Sequence, residues 1–178
     1  MPPSPYQVDV SNQQVLLEID EAALKKIIRG ILADERVQSA ELSLAIVDND
    51  MIWELNRRYL CHDYPTDVLS FLLDVEMSEE QAESQAKGTL PVPRGVGKKI
   101  DGELIVSAEM ALQTAGKYGW TPQAELILYV IHGVLHLCGY DDLNEKEQAL
   151  MRSREQDILR RWDITSAEDA VHPVRSRK

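Results

Sequence analysis

Apolar and polar residues recur along the chain with two periods, and together they predict four strands and five helices. Short apolar or alternating runs predict strands, whereas apolar stripes at the i, i+3, i+4 spacing predict helices. The predicted strands are 15–19, 41–47, 67–73 and 103–106. The predicted helices are about 20–35, 51–59, 107–118, 121–138 and 145–162. This order of elements indicates one α+β domain in which a small mixed sheet of about four strands packs with about five helices.

Local signals mark the ends of these predicted helices. Asp20, Thr121 and Asn144 are N-cap candidates, because their side-chain oxygens can accept hydrogen bonds from the free amides of a first turn. A proline follows Thr121 at the first helical position, and Gly139 suits the end of the same helix. That helix is apolar nearly all round, which predicts that it is central and buried.

Three segments lack such patterns and set the predicted limits of the domain. Residues 1–13 are rich in proline and polar residues and predict a loose lead-in. Residues 74–99 combine an acidic run with glycines and prolines and predict a mobile loop insertion. Residues 163–178 predict a flexible tail. A single domain over 14–162 remains.

Composition agrees with a globular protein of one domain. The chain has 178 residues, of which 44% are hydrophobic and 28% charged. No apolar run approaches the length of a membrane span, and the N-terminus lacks the pattern of a secretory signal. Cys61 and Cys138, which form no CxxC pair, are expected to be reduced thiols. We therefore expect a cytoplasmic location and no membrane partner.

The net charge of −11 argues by itself against binding to nucleic acid, since phosphate contacts need lysine and arginine. The charges are unevenly spread, however. Acidic residues concentrate in 74–83 and 141–147, whereas basic residues cluster at 57–58, 94–99 and 152–161. A basic patch on the folded surface therefore remains compatible with the sequence.

A candidate metal site lies at the end of the apolar helix. His132 and His136 are four residues apart, so that both imidazoles lie on one helix face. The chain reverses at Gly139, and Asp141 and Asp142 follow. Histidines in a helix core can instead be hydrogen-bonded structural groups, and acids can simply favour the start of the next helix. Two buried imidazoles side by side favour a cation between them.

The pattern differs from the HExxH motif of zinc proteases, because Gly133 stands where the general-base glutamate would be. Two histidines and one carboxylate, with a fourth position left for water, are typical of catalytic zinc. Either Asp141 or Asp142 can be the third ligand, the other then orienting an imidazole or capping a helix. Gly133 itself indicates close packing, approach of a substrate, or relief of crowding between helices.

Residues 132–141 resemble the signature of the YbeY family, bacterial rRNA maturation factors regarded as metal-dependent endoribonucleases. The family pattern is His-Gly-x-Leu-His-Leu-x-Gly-Tyr-Asp-His, and ten of its eleven positions fit this chain. Two further blocks, within 55–71 and at 101–107, are similar to the family in the same order. The similarity covers roughly residues 15–162.

The resemblance implies a single-strand-specific endoribonuclease that acts in small-subunit rRNA maturation and ribosome quality control. It also implies one Zn²⁺ per chain held by His132, His136 and Asp142, no organic cofactor, and ribosomal or assembly proteins as partners. Asp142 replaces a family histidine, and Leu60 replaces a family arginine. His132 and Arg58 are therefore the predicted catalytic residues. Arg58, or alternatively Arg57, would supply the missing guanidinium. Each of these two arginines can also be an ordinary solvated charge on the face of a helix.

Two other functions stay open at this point. One is a ribosome-assembly or RNA-binding factor whose metal is mainly structural, which the acidic charge and Leu60 favour. The other is a metal-dependent hydrolase of another substrate, although the absence of the HExxH glutamate disfavours a conventional protease.

Overall fold

The computed structural model describes residues 4–77, 83 and 94–164 of the chain. One four-stranded mixed sheet has the spatial order β1-β2-β4-β3, in which β1, β2 and β4 are parallel and β3 runs antiparallel to β4. The strands are β1 (Tyr6–Asn12), β2 (Ser39–Val47), β3 (Val68–Glu76) and β4 (Lys99–Ser107). The α-helices of the described residues are α1 (Glu21–Asp34), α2 (Asn49–Leu60), α3 (Ala108–Ala115), α4 (Pro122–Cys138) and α5 (Glu145–Arg161). The predicted α+β class, with a mixed sheet of four strands and five helices, is confirmed.

The predicted capping residues occupy the ends of the helices. Asp20 Oδ1 accepts from the amide of Ala23 at 2.9 Å, and Thr121 Oγ1 accepts from the amide of Ala124 at 3.1 Å. Gly139 ends α4 with φ of 104°, a left-handed backbone conformation that favours glycine. Local sequence signals therefore fix where the central helix starts and stops.

The prediction for the first strand is wrong. The strand is β1, which pairs in parallel with β2, so that residues 6–12 of the predicted loose lead-in belong to the sheet and the domain begins before residue 14. The apolar run at 15–19 is not a strand, because the side chain of Gln14 folds it into a turn. Gln14 accepts from the amides of Leu16 and Leu17 at 2.7 and 2.8 Å, and Val15 is 98% exposed.

The predicted loop insertion at 74–99 is too long at both ends. Strand β3 continues to Glu76, and β4 already begins at Lys99, whose ammonium group lies 2.7 Å from the Glu76 carboxylate. The pairing of β3 with β4 changes register between Leu72 and Asp74 and then continues to Glu76. Residues 78–82 and 84–93 lie outside the described residues, as do residues 165–178 of the predicted tail.

Helices cover both faces of the sheet, and α4 occupies the centre of the larger layer. Alternate residues of β2, Leu42, Leu44 and Ile46, are buried in the same core cluster as residues of α1 and α4. A smaller cluster formed by Val47, Ile52 and Leu69 lies between α2 and the opposite face. Within the described part of the chain, no helix is both long enough and apolar enough to cross a bilayer.

Candidate metal centre

The two histidines of the motif lie side by side at the C-terminal end of α4. The Nε2 atoms of His132 and His136 are 3.0 Å apart, and their rings meet edge to face with centroids 4.5 Å apart. This closeness follows from the i, i+4 spacing on one helix face. The imidazole nitrogens therefore converge on one point, as the spacing predicted.

The reversal at Gly139 brings a carboxylate back to this point. Tyr140 donates its amide to the carbonyl of Leu135 at 3.0 Å, which closes the end of α4. Asp142 then places Oδ2 4.0 Å from the Nε2 atom of each histidine. His132, His136 and Asp142 form a group whose three donor atoms all lie within 4.8 Å of one another.

Asp141 does not join this group. Its Oδ1 accepts from the amides of Asp142 and Leu143 at 2.7 and 3.2 Å, so that it shapes the loop that carries its neighbour. Of the two candidates that the sequence left open, Asp142 therefore presents its side chain to the histidines.

Both histidines are oriented by hydrogen bonds at their other ring nitrogen. His136 Nδ1 lies 3.0 Å from the carbonyl oxygen of Tyr140, and His132 Nδ1 lies 2.6 Å from Oε1 of Glu155. A carbonyl and a carboxylate can only accept, so the proton of each neutral imidazole lies on Nδ1 and each Nε2 keeps its lone pair. Burial and the neighbouring His132 also lower the pKa of His136, which favours the neutral ring.

These donors fit a tetrahedral divalent ion. Two bare nitrogen lone pairs 3.0 Å apart repel one another, and a cation between them removes that repulsion. Ligand atoms about 2.1 Å from one tetrahedral ion lie about 3.4 Å from each other, a value that the separations of 3.0 and 4.0 Å bracket. The side chain of Asp142 is 39% exposed and that of His132 only 9%, so the site opens toward Asp142.

Comparison with known proteins identifies the family of the chain. A family model described as endoribonuclease YbeY matches residues 9–163. A protein named endoribonuclease YbeY from Pelotomaculum thermopropionicum is 36% identical over 160 residues, covering 88% of this chain and 97% of that protein. The chain belongs to the endoribonuclease YbeY family. The predicted resemblance is thus confirmed, and with it the prediction of an enzyme, a metal-dependent hydrolase.

Further relatives agree with this membership in the YbeY family. The endoribonuclease YbeY of Salinibacter ruber is 33% identical over 160 residues, covering 89% of this chain and 94% of that protein. The solution structure of TM1509 from Thermotoga maritima superimposes with a TM-score of 0.54 at 24% identity, covering 95% of this chain and all of that one. The last similarity shows that the two proteins share a fold.

Gly133, the second residue of the YbeY signature, lets α4 pack closely on the sheet. A Cβ atom at this position would lie 2.7 Å from Cδ2 of Leu104 and 3.1 Å from Cγ2 of Val68. Leu104 is only 1% exposed and has little room to move. Of the three explanations that the sequence allowed, close packing accounts for Gly133, and the contact is with strands β3 and β4.

The structure does not bring Arg58 into contact with the candidate metal centre. Arg58 and Arg57 are exposed in the last turn of α2, where their guanidinium groups lie over the rings of Tyr59 and Trp53 at 5.6 and 4.9 Å. Leu60, at the position of the family arginine, is 45% exposed. The ring that Arg58 contacts belongs to its own helix, and the catalytic role of Arg58 stays a prediction.

Sequence reasoning missed Glu155, which contacts His132 from α5. One signal was available in the pattern of α5. Met151, Ile158 and Leu159 are buried at the i, i+7, i+8 spacing, and Glu155 lies within that stripe. The neighbouring Leu150 lies outside this stripe and is 43% exposed. An acidic residue such as Glu155 within a stripe of buried apolar residues indicates that its carboxylate has a buried partner.

A second polar network, also missed, fixes the loop after α4. The buried carboxylate of Glu35 accepts from Nε of Arg154 at 2.6 Å and from the hydroxyl of Tyr140 at 3.1 Å. Burial, with the nearby Glu35 carboxylate, raises the pKa of Tyr140 to about 12, so the phenol stays protonated and donates. Arg94 lies over the Tyr140 ring at 4.3 Å and pairs with Glu147 at 2.8 Å. Tyr140, whose carbonyl orients His136, is thus held from two sides.

Proposed function

We propose that this protein is a cytoplasmic, single-strand-specific, zinc-dependent endoribonuclease that acts in small-subunit rRNA maturation and ribosome quality control. Its partners would be that rRNA and ribosomal or assembly proteins. The observation that carries the proposal is the convergence of three donors, His132 Nε2, His136 Nε2 and the partly exposed Asp142 Oδ2. Membership of the YbeY family supports the reaction class, and two free cysteines support a reducing compartment.

The donor set favours one Zn²⁺ per chain, with no organic cofactor. Imidazole nitrogens suit zinc, and three protein ligands leave one coordination position open, which is typical of catalytic rather than structural zinc. His132, His136 and Asp142 would hold the ion. When bound, the ion supplies a Lewis acid that polarises a phosphoryl oxygen and lowers the pKa of water.

The protein groups around the ion have separate tasks. The two Nδ1 hydrogen bonds orient the imidazoles so that their Nε2 atoms point toward the ion. Asp141 and Glu155 already accept short hydrogen bonds from protein donors, which leaves them poorly placed to take a proton from water. Asp142, more exposed than either histidine, lines the side from which a phosphodiester can approach.

We propose that Arg58 supplies a guanidinium to a phosphate of the bound RNA, in place of the family arginine that Leu60 replaces. Arg58→Ala is expected to weaken binding of single-stranded RNA several-fold. It should also reduce the slope of the logarithm of the binding constant against the logarithm of the salt concentration by about one, since one phosphate contact is lost. Arg160→Ala is the control, because Arg160 is an exposed arginine on α5 paired with Asp157. Titrations at several salt concentrations measure both effects. An unchanged slope for Arg58→Ala would exclude a phosphate contact.

A cleavage assay with defined metal content tests the proposed activity. The purified protein, stripped of metal and reloaded with zinc, is expected to cleave single-stranded small-subunit rRNA segments and to leave the same sequences intact in duplex form. The stripped protein should be inactive but folded by circular dichroism, because the large apolar core consists of side chains other than the three donors. Unfolding on metal removal, without cleavage by the loaded protein, would instead favour the assembly factor with a structural metal. Cleavage of another substrate class alone would favour the other hydrolase.

A further inference from the structure

Glu155 is a nearly buried carboxylate outside the three-residue donor group. Its Oε1 lies 2.6 Å from Nδ1 of His132, and the two side chains are 13% and 9% exposed. A carboxylate this far from solvent is unfavourable unless a donor compensates it, and the imidazole N–H is that donor. The other histidine differs, because His136 donates to a neutral acceptor, the carbonyl of Tyr140.

The position of Glu155 is fixed by the packing of α5. Met151 and Ile158 on the same stripe are 1% exposed, so that the helix cannot rotate without exposing apolar surface. The adjacent residue, Arg154, forms an ion pair at 2.6 Å with the buried Glu35 at the end of α1. The Glu155 carboxylate therefore reaches His132 from a rigid element rather than from a flexible loop.

Glu155 also contributes to the charge of the metal site. With neutral imidazoles, the three donors carry one formal negative charge, which Asp142 supplies. Glu155, hydrogen-bonded to a donor residue, adds a second. The two carboxylates together balance a divalent cation in a partly buried site, where an unbalanced charge is costly.

We propose that Glu155 is a positioning residue of the metal centre. It accepts the Nδ1 proton of His132, directs the Nε2 lone pair toward His136 and Asp142, and supplies the second negative charge of the site. The part of this inference that concerns zinc binding rests on the proposed function. The part that concerns the tautomer of His132 applies to the metal-free protein and does not depend on that function.

The first experiment measures the tautomer of His132 in the full-length, metal-free chain. Long-range ¹H–¹⁵N spectra, recorded at mildly alkaline pH and assigned with histidine variants, report which ring nitrogen carries the proton. The wild-type chain and Glu155→Gln, which retains an acceptor oxygen, should hold the proton on Nδ1. Glu155→Ala should show a mixture of both tautomers. His136, which has its own acceptor, should be unchanged in all three.

The second experiment measures zinc affinity by competition with a chromophoric chelator. Glu155→Ala is expected to bind Zn²⁺ about 10–100-fold more weakly, as is usual when an outer partner of a metal-bound histidine is lost. Glu155→Gln should lie between Glu155→Ala and wild type, because it keeps the hydrogen bond and loses the charge. Asp157→Asn is the matched control on the same helix, since the Asp157 carboxylate is exposed and pairs with Arg160, and it should change the affinity less than twofold.

The results separate this inference from the proposed function. Unchanged His132 tautomer and zinc affinity in folded Glu155→Ala would overturn the positioning role. If Glu155→Ala does not fold, unchanged zinc affinity in Glu155→Gln overturns the charge role, and a weaker affinity supports it. If the wild-type chain binds no zinc, the proposed function fails, and the His132 tautomer in the Glu155 variants still decides whether Glu155 orients the ring.

Discussion

His136→Ala is expected to abolish tight zinc binding and to slow RNA cleavage about a thousandfold or more, while the chain stays folded. The ion's stabilisation of charge on the reacting phosphate is worth several kcal/mol, and each ~1.4 kcal/mol is about tenfold in rate. The side chain of His136 is 26% exposed and lies outside the buried core cluster, so its removal leaves the apolar packing intact. Single-turnover cleavage, zinc content and circular dichroism are the measurements.

His132→Ala should match this loss of activity but differ in stability. The substitution leaves the Glu155 carboxylate without its donor in a site where it is 13% exposed, which costs about 1–3 kcal/mol. Urea unfolding of the metal-free variants should therefore rank wild type and His136→Ala above His132→Ala. Substantial cleavage by either loaded variant would show that the reaction does not need this centre.

The central helix could be predicted from the sequence because its signals are local. Thr121 caps the first turn of α4, and Gly139 ends it in a left-handed conformation. The i, i+4 spacing then places His132 and His136 together with no knowledge of the rest of the fold. The return of Asp142 followed from the same glycine.

The first strand could not be predicted as easily, because it depends on a partner more than thirty residues away. Val8 of β1 pairs with Leu42 of β2, and this pairing places Val8 in the buried core. Residues 15–19 have more apolar side chains, but none of the described strands pairs with them. Gln14 instead bonds to the backbone of Leu16 and Leu17, a contact that composition does not reveal.

Glu155 was missed for a related reason. The residue is 23 positions from His132, and only the packing of α5 against α4 brings the two together. The aspartates, by contrast, follow the histidines directly along the chain. Sequence reasoning therefore found the donors on one continuous segment, 132–142, and missed the group that orients one of them.

Asp142→Ala is expected to weaken zinc binding by more than the ~10–100-fold typical of losing an outer partner, and to reduce cleavage accordingly. The reason is that the variant has only two imidazoles to hold the ion, half of a tetrahedral set of ligands. The substitution also removes the negative charge of the Asp142 carboxylate from the donor group. Asp141→Asn is the matched control, because the amide oxygen can still accept from the backbone amides of Asp142 and Leu143. The control should retain wild-type zinc affinity. Equal zinc affinity of Asp142→Ala and wild type would show that Asp142 is not a ligand.

Asp142→His restores the family signature and isolates the effect of donor type. Imidazole suits zinc, whereas carboxylate oxygen suits harder ions such as Mn²⁺. The ratio of Mn²⁺ to Zn²⁺ affinity should therefore fall in Asp142→His, even where zinc binding is as tight as in wild type. The formal charge of the site also becomes less negative by one, and Glu155 keeps the carboxylate charge that is hydrogen-bonded to His132. Replacing Glu155 by glutamine should then weaken zinc binding more in the Asp142→His background than in the wild-type chain, because neighbouring charges do not act additively.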